Sequence, residues 1–493
     1  MIPLEYRLRD KVRLQPAGDA GWRVICEAPL TVLSVNESAA RLLRWTERGA
    51  SVAVLAGKLR LSEERVFDLC ETFRRRGLFE VRRASALVPE SPESSDPPTV
   101  SIIVPTRDRA PALAECLAAV GRLVYPADRL EVIVVDDGSS DPATVARVAS
   151  AHGARLLVNE VNQGPAYSRN RAAREAAGEI VAFVDSDCVA RPAWLQELTP
   201  YFWWQRVGAV GGRTRGYYTE SRLARYEEVA SPLDMGSNLM LEAKGESTFY
   251  VPTCNLLVRA SVYRELDGLR DDLLVGEDVD FCWRLRARDY YLVYAAEGEV
   301  QHKHLERLGP MLRRRAQYGT SEATLHALHR DKRKRFPVAP ASTATVALLS
   351  AALAGLQPAL LPASVVPVLW DGAARLRRLR RNGVSLPAEA VWFSVLRGHL
   401  SMMYFVYFHL VRYYLGPLAA AGLVAPGVWA LAGFAAVYAG AVDFTTRKPR
   451  LDFPTYLALY LAEHAAYQAG VVAGSLREGT FRSYLPATQP SRG

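Results

Sequence analysis

The chain has 493 residues, more than a single hydrophobic core accommodates, so we expect two to four domains. A hydrophobic fraction of 49% and a charged fraction of 23% are ordinary for globular proteins and exclude general disorder. The 61 Lys and Arg residues against 52 Asp and Glu residues give a net charge of +9, which suits a phosphate-bearing partner or an anionic membrane surface. Because the basic residues lie in blocks near apolar segments, we expect no nucleic-acid partner.

Two features of the sequence indicate the compartment. The six cysteines form no Cys-x-x-Cys pair and no dense framework, which favours reduced thiols in a cytoplasm over disulfides or a zinc site. The first residues, from Met1 to Glu5, lack the basic and then apolar pattern of a signal peptide. We therefore expect the protein on the cytoplasmic side of the membrane.

Residues 1–84 are predicted to form a first small domain. Short strands are expected over 11–14, 22–26 and 78–81, and helices after Asn36, after Ser51 and after the N-cap residue Ser62. This order suggests a winged-helix fold and resembles the PqqD-like peptide-recognition domains, which implies peptide binding by addition of a strand to a sheet edge. A purely structural N-terminal cap is the alternative. The Pro- and Ser-rich residues 85–98 are predicted as a linker.

From residue 99 onward the pattern changes to alternating strands and helices. Strands are expected over 100–105, 130–135, 154–158 and 181–184, and helices over 112–123, 145–151 and 167–177. This alternation predicts a parallel, doubly wound α/β sheet.

Polar residues follow three of these strands. Asp185 and Asp187 stand at positions i and i+2 after a wholly apolar strand, so both side chains point the same way at the ligand-binding edge of the sheet. Two such close carboxylates repel each other unless a cation lies between them, and oxygen ligands suit Mg²⁺ or Mn²⁺. An isolated Asp-x-Asp turn in solvent is the alternative. The polar residues after the strands over 100–105 and 130–135 converge on the same edge, which favours a site.

Four motifs in this order resemble the family 2 glycosyltransferases of the GT-A fold, over residues 99–308. They are residues 104–109 (VPTRDR), 135–139 (VDDGS), 162–170 (NQG…RN) and 185–187 (DSD). The resemblance implies a UDP-sugar donor. It implies that Asp187 is the metal ligand and that the nucleotide sugar is bound by Pro105, Thr106, Asp108, Asp136, Asp137, Arg169 and Asp185.

The segment from Gly276 to Leu285 resembles the acidic acceptor-side motif of the same family. It implies that Asp278 is the general base, that Glu277 and Trp283 lie on the acceptor side, and that the reaction inverts the anomeric centre. Capping of a helix start by these acids is the alternative. The chain lacks the Gln-x-x-Arg-Trp motif of processive members, so we do not expect polymerisation with export.

His302 follows a predicted strand over 291–294, where many GT-A enzymes place a metal-binding histidine. An imidazole beside Asp187 and diphosphate oxygens suits Mn²⁺. A structural histidine is the alternative.

Residues 309–493 are predicted to form an apolar, helical, membrane-associated region. Two charge-free runs, 338–370 and 413–442, are interrupted by Pro and Gly residues, and the first is flanked by basic blocks at 313–315, 332–335 and 375–381. Positive charge on both sides disfavours a single span and favours a hairpin that dips into the membrane from the cytoplasmic face. A helical soluble domain is the alternative.

The combination of these three regions resembles the glycosyltransferases of the mycofactocin system. It implies transfer of glucose from UDP-glucose to premycofactocin, a peptide-derived redox cofactor, as a β-linked oligoglucoside. A cell-envelope transferase with a lipid-linked acceptor is one alternative, and a non-catalytic peptide-binding scaffold is another.

Overall fold

The computed structural model describes residues 4–17, 21–27, 30–83, 96–245, 247–332, 334–485 and 487–490. The chain divides into a larger compact unit, mainly Glu93–Pro337 and Tyr407–Gln489, and a smaller one, mainly Ile2–Pro92 and Val338–Val406. The C-terminal region predicted as one segment is therefore divided between the two units. Most of the predicted linker, residues 85–95, lies outside the described residues.

The N-terminal part of the smaller unit contains three helices and two three-stranded antiparallel sheets, β5-β1-β6 and β2-β3-β4. The three predicted helices are confirmed, and the side chains of Asn36, Ser51 and Ser62 cap them by accepting a hydrogen bond from a backbone N–H three residues later. The PqqD-like interpretation stays a prediction. The elements are β1 (Leu4–Leu8), β2 (Val12–Pro16), β3 (Gly21–Glu27), β4 (Leu30–Asn36), α1 (Glu37–Trp45), β5 (Ala50–Ser51), α2 (Val52–Leu59), α3 (Glu63–Arg75) and β6 (Phe79–Arg83).

The larger unit is built on a mixed nine-stranded sheet in the order β11-β15-β12-β14-β10-β7-β8-β9, with β13 paired to β15. Its strands are β7 (Val100–Thr106), β8 (Leu130–Asp137), β9 (Arg155–Asn159), β10 (Ile180–Val184), β11 (Cys188–Ala190), β12 (Val207–Gly216), β13 (Met240–Glu242), β14 (Asn255–Arg259) and β15 (Tyr291–His302). The first helices of this unit are α4 (Ala110–Val120), α5 (Pro142–Ala151), α6 (Pro165–Glu175), α7 (Trp194–Leu198), α8 (Arg222–Ala230), α9 (Ala260–Glu265), α10 (Glu277–Ala287) and α11 (Leu308–Leu328).

The predicted parallel sheet is confirmed for β10, β7, β8 and β9, the strands from which it was predicted. The other half of the sheet lies outside that prediction. There β14 runs antiparallel to both β10 and β12, so the sheet is mixed. The alternation of strands and helices predicted only the first half, because the strands after β10 are not separated by regular crossover helices.

The parallel register brings the predicted polar residues to one edge of the sheet. Thr106 lies opposite Asp136 across β7 and β8, and Asp137 lies opposite Asn159 across β8 and β9. Since β10 pairs in parallel with β7, Asp185 emerges at the same edge.

The C-terminal elements are β16 (Arg335–Val338), α12 (Pro340–Leu353), α13 (Leu360–Ala363), α14 (Val366–Arg381), α15 (Ala388–Val424), α16 (Gly427–Arg447), α17 (Phe453–Glu478) and β17 (Ala487–Pro490). The first apolar run forms a helical hairpin in which α12 packs against α14, as predicted. The second run is broken between α15 and α16, but α15 is one long helix that contains Pro417 and not a short one. Within the described part of the chain, only Gly427–Arg447 is long and apolar enough to cross a bilayer, judged by length and composition.

Helices α11 and α17 approach each other at glycines. A Cβ atom added to Gly319 would overlap the carbonyl oxygen of Tyr467, and one added to Gly470 would overlap that of Ala316. The two backbones are therefore in direct contact, which only glycine permits.

Residues of two basic blocks that were expected to flank a membrane segment form ion pairs with buried carboxylates. Arg315 is 4% exposed and donates to Glu227 Oε1 at 2.6 Å, with Nε 3.2 Å from Glu463 Oε1. The partly exposed Lys334 donates to Glu322 Oε1 at 2.7 Å. These two side chains neutralise buried carboxylates, and the membrane association of the region stays a prediction.

Candidate active site

A cavity of about 1120 Å³ lies in the larger unit, lined by the strand-end motifs and by residues of α10, α11 and α17. It has room for a nucleotide sugar and part of an acceptor. The predicted site residues that line it are Pro105, Thr106, Asp137, Arg169, Asp185, Asp187, Glu277, Asp278, Trp283 and His302. The structure thus brings together the donor-side and acceptor-side motifs, which lie far apart in the sequence.

Asp137 organises the loop that precedes α6. Its Oδ1 atom accepts from Asn159 Nδ2 at 2.8 Å and from the Gln163 N–H at 2.9 Å, and its Oδ2 atom accepts from the Gly164 N–H at 2.8 Å. Gly164 has φ of 90°, which favours glycine at this helix start. The carboxylate therefore fixes one wall of the cavity.

Asp136 and Asp108 do not line the cavity. Asp136 is fully buried and accepts from the Ser139 N–H at 3.0 Å. Asp108 is exposed, lies in the left-handed region with φ of 53°, and accepts from both the N–H and the hydroxyl of Ser140 at 2.7 Å. Their contacts with a nucleotide stay a prediction.

Arg169 joins the two sides of the site through buried charges. Its Nη2 atom lies 2.5 Å from Asp185 Oδ1, and its Nη1 atom lies 3.3 Å from Glu277 Oε1. Burial alone would raise the pKa of Asp185, but the attraction of Arg169, helped by His302, outweighs it and holds this pKa below its ordinary value. Asp185 is therefore ionised at neutral pH.

Asp187 and His302 form the group that could hold a metal ion. The register of β11 against β15 pairs Cys188 with His302, which brings the imidazole beside Asp187: His302 Nε2 lies 3.4 Å from Asp187 Oδ1. That oxygen is buried and has no hydrogen-bond partner, while Oδ2 accepts from Arg109. A carboxylate with a free buried oxygen beside an imidazole fits Mg²⁺ or Mn²⁺.

Asp278 lies in the first turn of α10, just after the N-cap residue Gly276, whose φ is 89°. Burial raises the pKa of the Asp278 carboxyl to about 7, and the neighbouring charge of Glu277 adds to this effect. A carboxylate with this pKa is matched to proton transfer near neutral pH.

Ion pairs account for another acid of this motif, Asp280, but not for Asp278. Asp280 lies 2.7 Å from Arg284 Nε and 2.8 Å from His329 Nε2, so its role is structural. The N-cap of α10 is a glycine with no side-chain hydrogen bond, and the Asp278 carboxylate accepts from the N–H of the next residue, Val279, at 2.8 Å.

The structure adds cavity residues that the sequence did not identify. One face of α11 lines the cavity with residues at helical spacing, among them Arg314, Tyr318, Ser321 and Leu325. The 3.6-residue period of this face was a usable signal. It was missed because the arginine block at 313–315 was interpreted as a membrane flank. Arg109, which contacts Asp187, belongs to the motif at residues 104–109, but the sequence alone predicted no role for it.

Comparison with known proteins gives a consistent result. The family model "Glycosyl transferase family 2" matches residues 101–266. The "Pre-mycofactocin glycosyltransferase" of Mycobacterium tuberculosis (strain CDC 1551 / Oshkosh) is 30% identical over 464 residues, which cover 91% of this chain and 93% of that protein. "Glycosyltransferase AglE" of Haloferax volcanii is 30% identical over 244 residues, 48% of this chain and 77% of that protein. Among solved structures, the mannosyltransferase PcManGT from Pyrobaculum calidifontis in complex with GDP-Man and Mn²⁺ has a TM-score of 0.39 at 22% identity, covering 71% of this chain and 87% of that one.

Proposed function

This chain belongs to the family 2 glycosyltransferases and has their GT-A type α/β architecture, and we propose that it transfers glucose from UDP-glucose to premycofactocin with inversion. The observation that carries the proposal is the 30% identity, over 91% of the chain, to the "Pre-mycofactocin glycosyltransferase". A match of this extent includes more than the 101–266 segment that marks the family. The acceptor is therefore inferred from the whole arrangement of the chain.

The donor side of the cavity supplies positive charge and metal ligands. Asp187 and His302 would hold Mg²⁺ or Mn²⁺, which neutralises the charge of a diphosphate leaving group. Arg109 contacts Asp187 and lines the cavity, so its guanidinium is available to diphosphate oxygens. Asp137 and Arg169 shape the wall against which the nucleotide would lie.

On the acceptor side, Asp278 would take the proton of the attacking hydroxyl. The hydroxyl oxygen forms a bond to the anomeric carbon, the bond from that carbon to the diphosphate oxygen breaks, and UDP leaves with the electron pair. The proton passes to the Asp278 carboxylate. A single displacement turns the α-linked donor into a β-glycoside. Glu277, held by Arg169, stands beside the base without carrying the proton.

The N-terminal domain and the C-terminal region would serve the acceptor and the membrane. The N-terminal domain would bind the peptide from which the acceptor derives, as PqqD-like domains do by strand addition. The apolar C-terminal region would hold the protein at the cytoplasmic face of the membrane as a peripheral or re-entrant protein. Repeated transfer to the growing glycoside would give an oligoglucoside.

A lipid-linked acceptor of the cell envelope is the second candidate. Exposed apolar side chains in the C-terminal helices favour it, because they suit a membrane-bound substrate. The non-catalytic scaffold is not supported, since this chain is a family 2 glycosyltransferase whose cavity holds an assembled set of carboxylates.

The experiment that tests the proposal pairs donors with acceptors. Purified protein is incubated with UDP-glucose, UDP-N-acetylglucosamine or GDP-mannose, and with premycofactocin or a polyprenyl phosphate. We expect mass spectrometry to find a hexose added to premycofactocin only with UDP-glucose and a divalent cation. A hexose found only on the polyprenyl phosphate would establish the second candidate instead.

A further inference from the structure

The turn of the α12–α14 hairpin, in the smaller unit, carries a set of exposed apolar side chains. Leu356 is 76% exposed and Trp370 is 61% exposed. With their neighbours in the turn they form what we call the hydrophobic tip, and its members are Leu356, Leu361, Val365, Val366, Leu369 and Trp370. Folded proteins rarely expose so many large apolar residues in one short segment unless something covers them.

The same helix continues into a basic segment. Arg377, Arg378, Arg380 and Arg381 are all exposed at the C-terminal end of α14, and we call them the arginine stretch. At a rise of 1.5 Å per residue, Arg377 lies about 10 Å along the helix axis from Trp370. This separation is close to the depth of the polar interface of a bilayer, which long arginine side chains can bridge.

We propose that the hydrophobic tip inserts into the interface of an anionic lipid bilayer while the arginine stretch binds its negatively charged headgroups. The apolar side chains give burial, the indole of Trp370 suits the headgroup level, and the guanidinium groups give the charge complementarity that selects anionic lipid. This inference rests on the membrane association proposed above and names the element responsible. It is independent of the donor and the acceptor.

The hairpin can enter a bilayer from one side but is too short to cross it. Helix α12 has 14 residues, about 21 Å of helix, which is shorter than the ~30 Å hydrocarbon core of a bilayer. Its partner α14 ends in arginines and therefore cannot continue across the bilayer. Close to the tip, Asp371 accepts from Arg375 at 3.0 Å and lies 3.5 Å from His399 Nε2, which holds α14 against α15.

Flotation of the full-length protein with lipid vesicles tests the proposal. The vesicles are phosphatidylcholine alone or phosphatidylcholine mixed with phosphatidylglycerol. We expect binding to the mixed vesicles, with little binding to phosphatidylcholine alone. Leu369→Ser/Trp370→Ser should abolish the binding, and each arginine of the stretch changed to Gln should weaken it about fivefold. An unchanged melting temperature shows that these exposed positions leave the fold intact.

Two further variants make the test specific. Leu423→Ser/Val424→Ser removes apolar side chains that are 80% and 89% exposed at the α15–α16 turn, and we expect it to bind like the wild type. Trp370→Phe should also bind normally, but part of the tryptophan quenching by brominated lipid should disappear, because that indole is the one in the interface.

The outcomes are separable. If the Leu423/Val424 variant lost vesicle binding and the Leu369/Trp370 variant kept it, the assignment of the tip would be overturned. Membrane association of the protein would still hold. Absence of wild-type binding to either vesicle would overturn both. Self-association that depends on Trp370, without vesicle binding, would show that a second copy of the chain covers the tip and would overturn the lipid assignment. Equal binding to both kinds of vesicle would overturn the role of the arginine stretch.

Discussion

Arg169 Nη1 lies 3.3 Å from Glu277 Oε1, and this ion pair links the edge of the sheet that carries Asp185 to the start of α10. Burial raises the pKa of Glu277, and Arg169 opposes that rise. Glu277 in turn raises the pKa of the adjacent Asp278. The charge of one residue therefore tunes the proton affinity of its neighbour without touching the reacting atoms.

Replacing Glu277 by Gln is predicted to shift the pH dependence of the reaction. Asp278 must be ionised to accept a proton. In the wild type, kcat/KM should therefore be low at acidic pH and rise around pH 7, where this carboxyl ionises. Glu277→Gln removes a negative charge and thereby lowers the pKa of Asp278, so the rise of kcat/KM should occur at lower pH. The matched control Glu277→Asp keeps the charge, so kcat/KM should rise near the wild-type pH. A rise at the wild-type pH in Glu277→Gln would contradict the effect of the Glu277 charge on Asp278.

Asp278→Asn is predicted to slow the chemical step by about 10²–10⁴-fold. The amide has the same size but cannot accept the acceptor's proton, while Asp187 and Arg169 on the donor side are untouched. The deficit should therefore appear in kcat and leave the affinity for the UDP-sugar unchanged. Assays of UDP release and donor binding check this. If the residue merely stabilised the helix start, turnover would remain near normal.

Removal of divalent cations with a chelator is predicted to abolish transfer, and Mg²⁺ or Mn²⁺ should restore it. Asp187→Ala and His302→Ala should weaken Mn²⁺ binding, which electron paramagnetic resonance measures without any turnover. Cys188→Ala is the matched control, because its thiol lies in the same group but suits Mg²⁺ and Mn²⁺ poorly. Normal Mn²⁺ affinity in a folded Asp187→Ala protein would exclude the assignment.

Arg315→Ala is predicted to lower the free energy of unfolding by about 3–5 kcal/mol, because it leaves Glu227 and Glu463 buried without their common partner. The neighbouring Arg313 is exposed, so Arg313→Ala should change stability by no more than about 0.5 kcal/mol. Urea unfolding of the two variants makes the comparison. Equal effects would show that the arginine block acts only as surface charge.

The sequence predicted the parts of the fold and of the site that depend on local pattern. The apolar strand before Asp185, the cap at Ser62 and the acidic start of α10 each follow from a few neighbouring residues, and each is confirmed as an element of the structure. The family resemblance placed Asp187 and His302 together, and the register of β11 against β15 gives the physical reason.

What the sequence did not predict depends on contacts between distant segments. Nothing near Arg315 indicates that Glu227 and Glu463 will meet it, and nothing near Arg109 indicates Asp187. The antiparallel β14 was missed for the same reason, since its partners are set by the return path of the chain and not by its own residues. A run of arginines in a sequence looks the same whether its side chains lie in the protein interior or at a membrane surface.

The glycine contact between α11 and α17 has a consequence for how the protein is made. Arg314 and Tyr318 on α11 line the cavity, and Glu463 and Tyr467 on α17, whose backbone meets α11 at Gly470, form part of the same wall. Since α17 follows the strands β7 to β10 far along the chain, those strands are synthesised before this wall can form. A chain cut before residue 453 would therefore keep the strand-end motifs but lack the part of the cavity wall that Glu463 and Tyr467 supply.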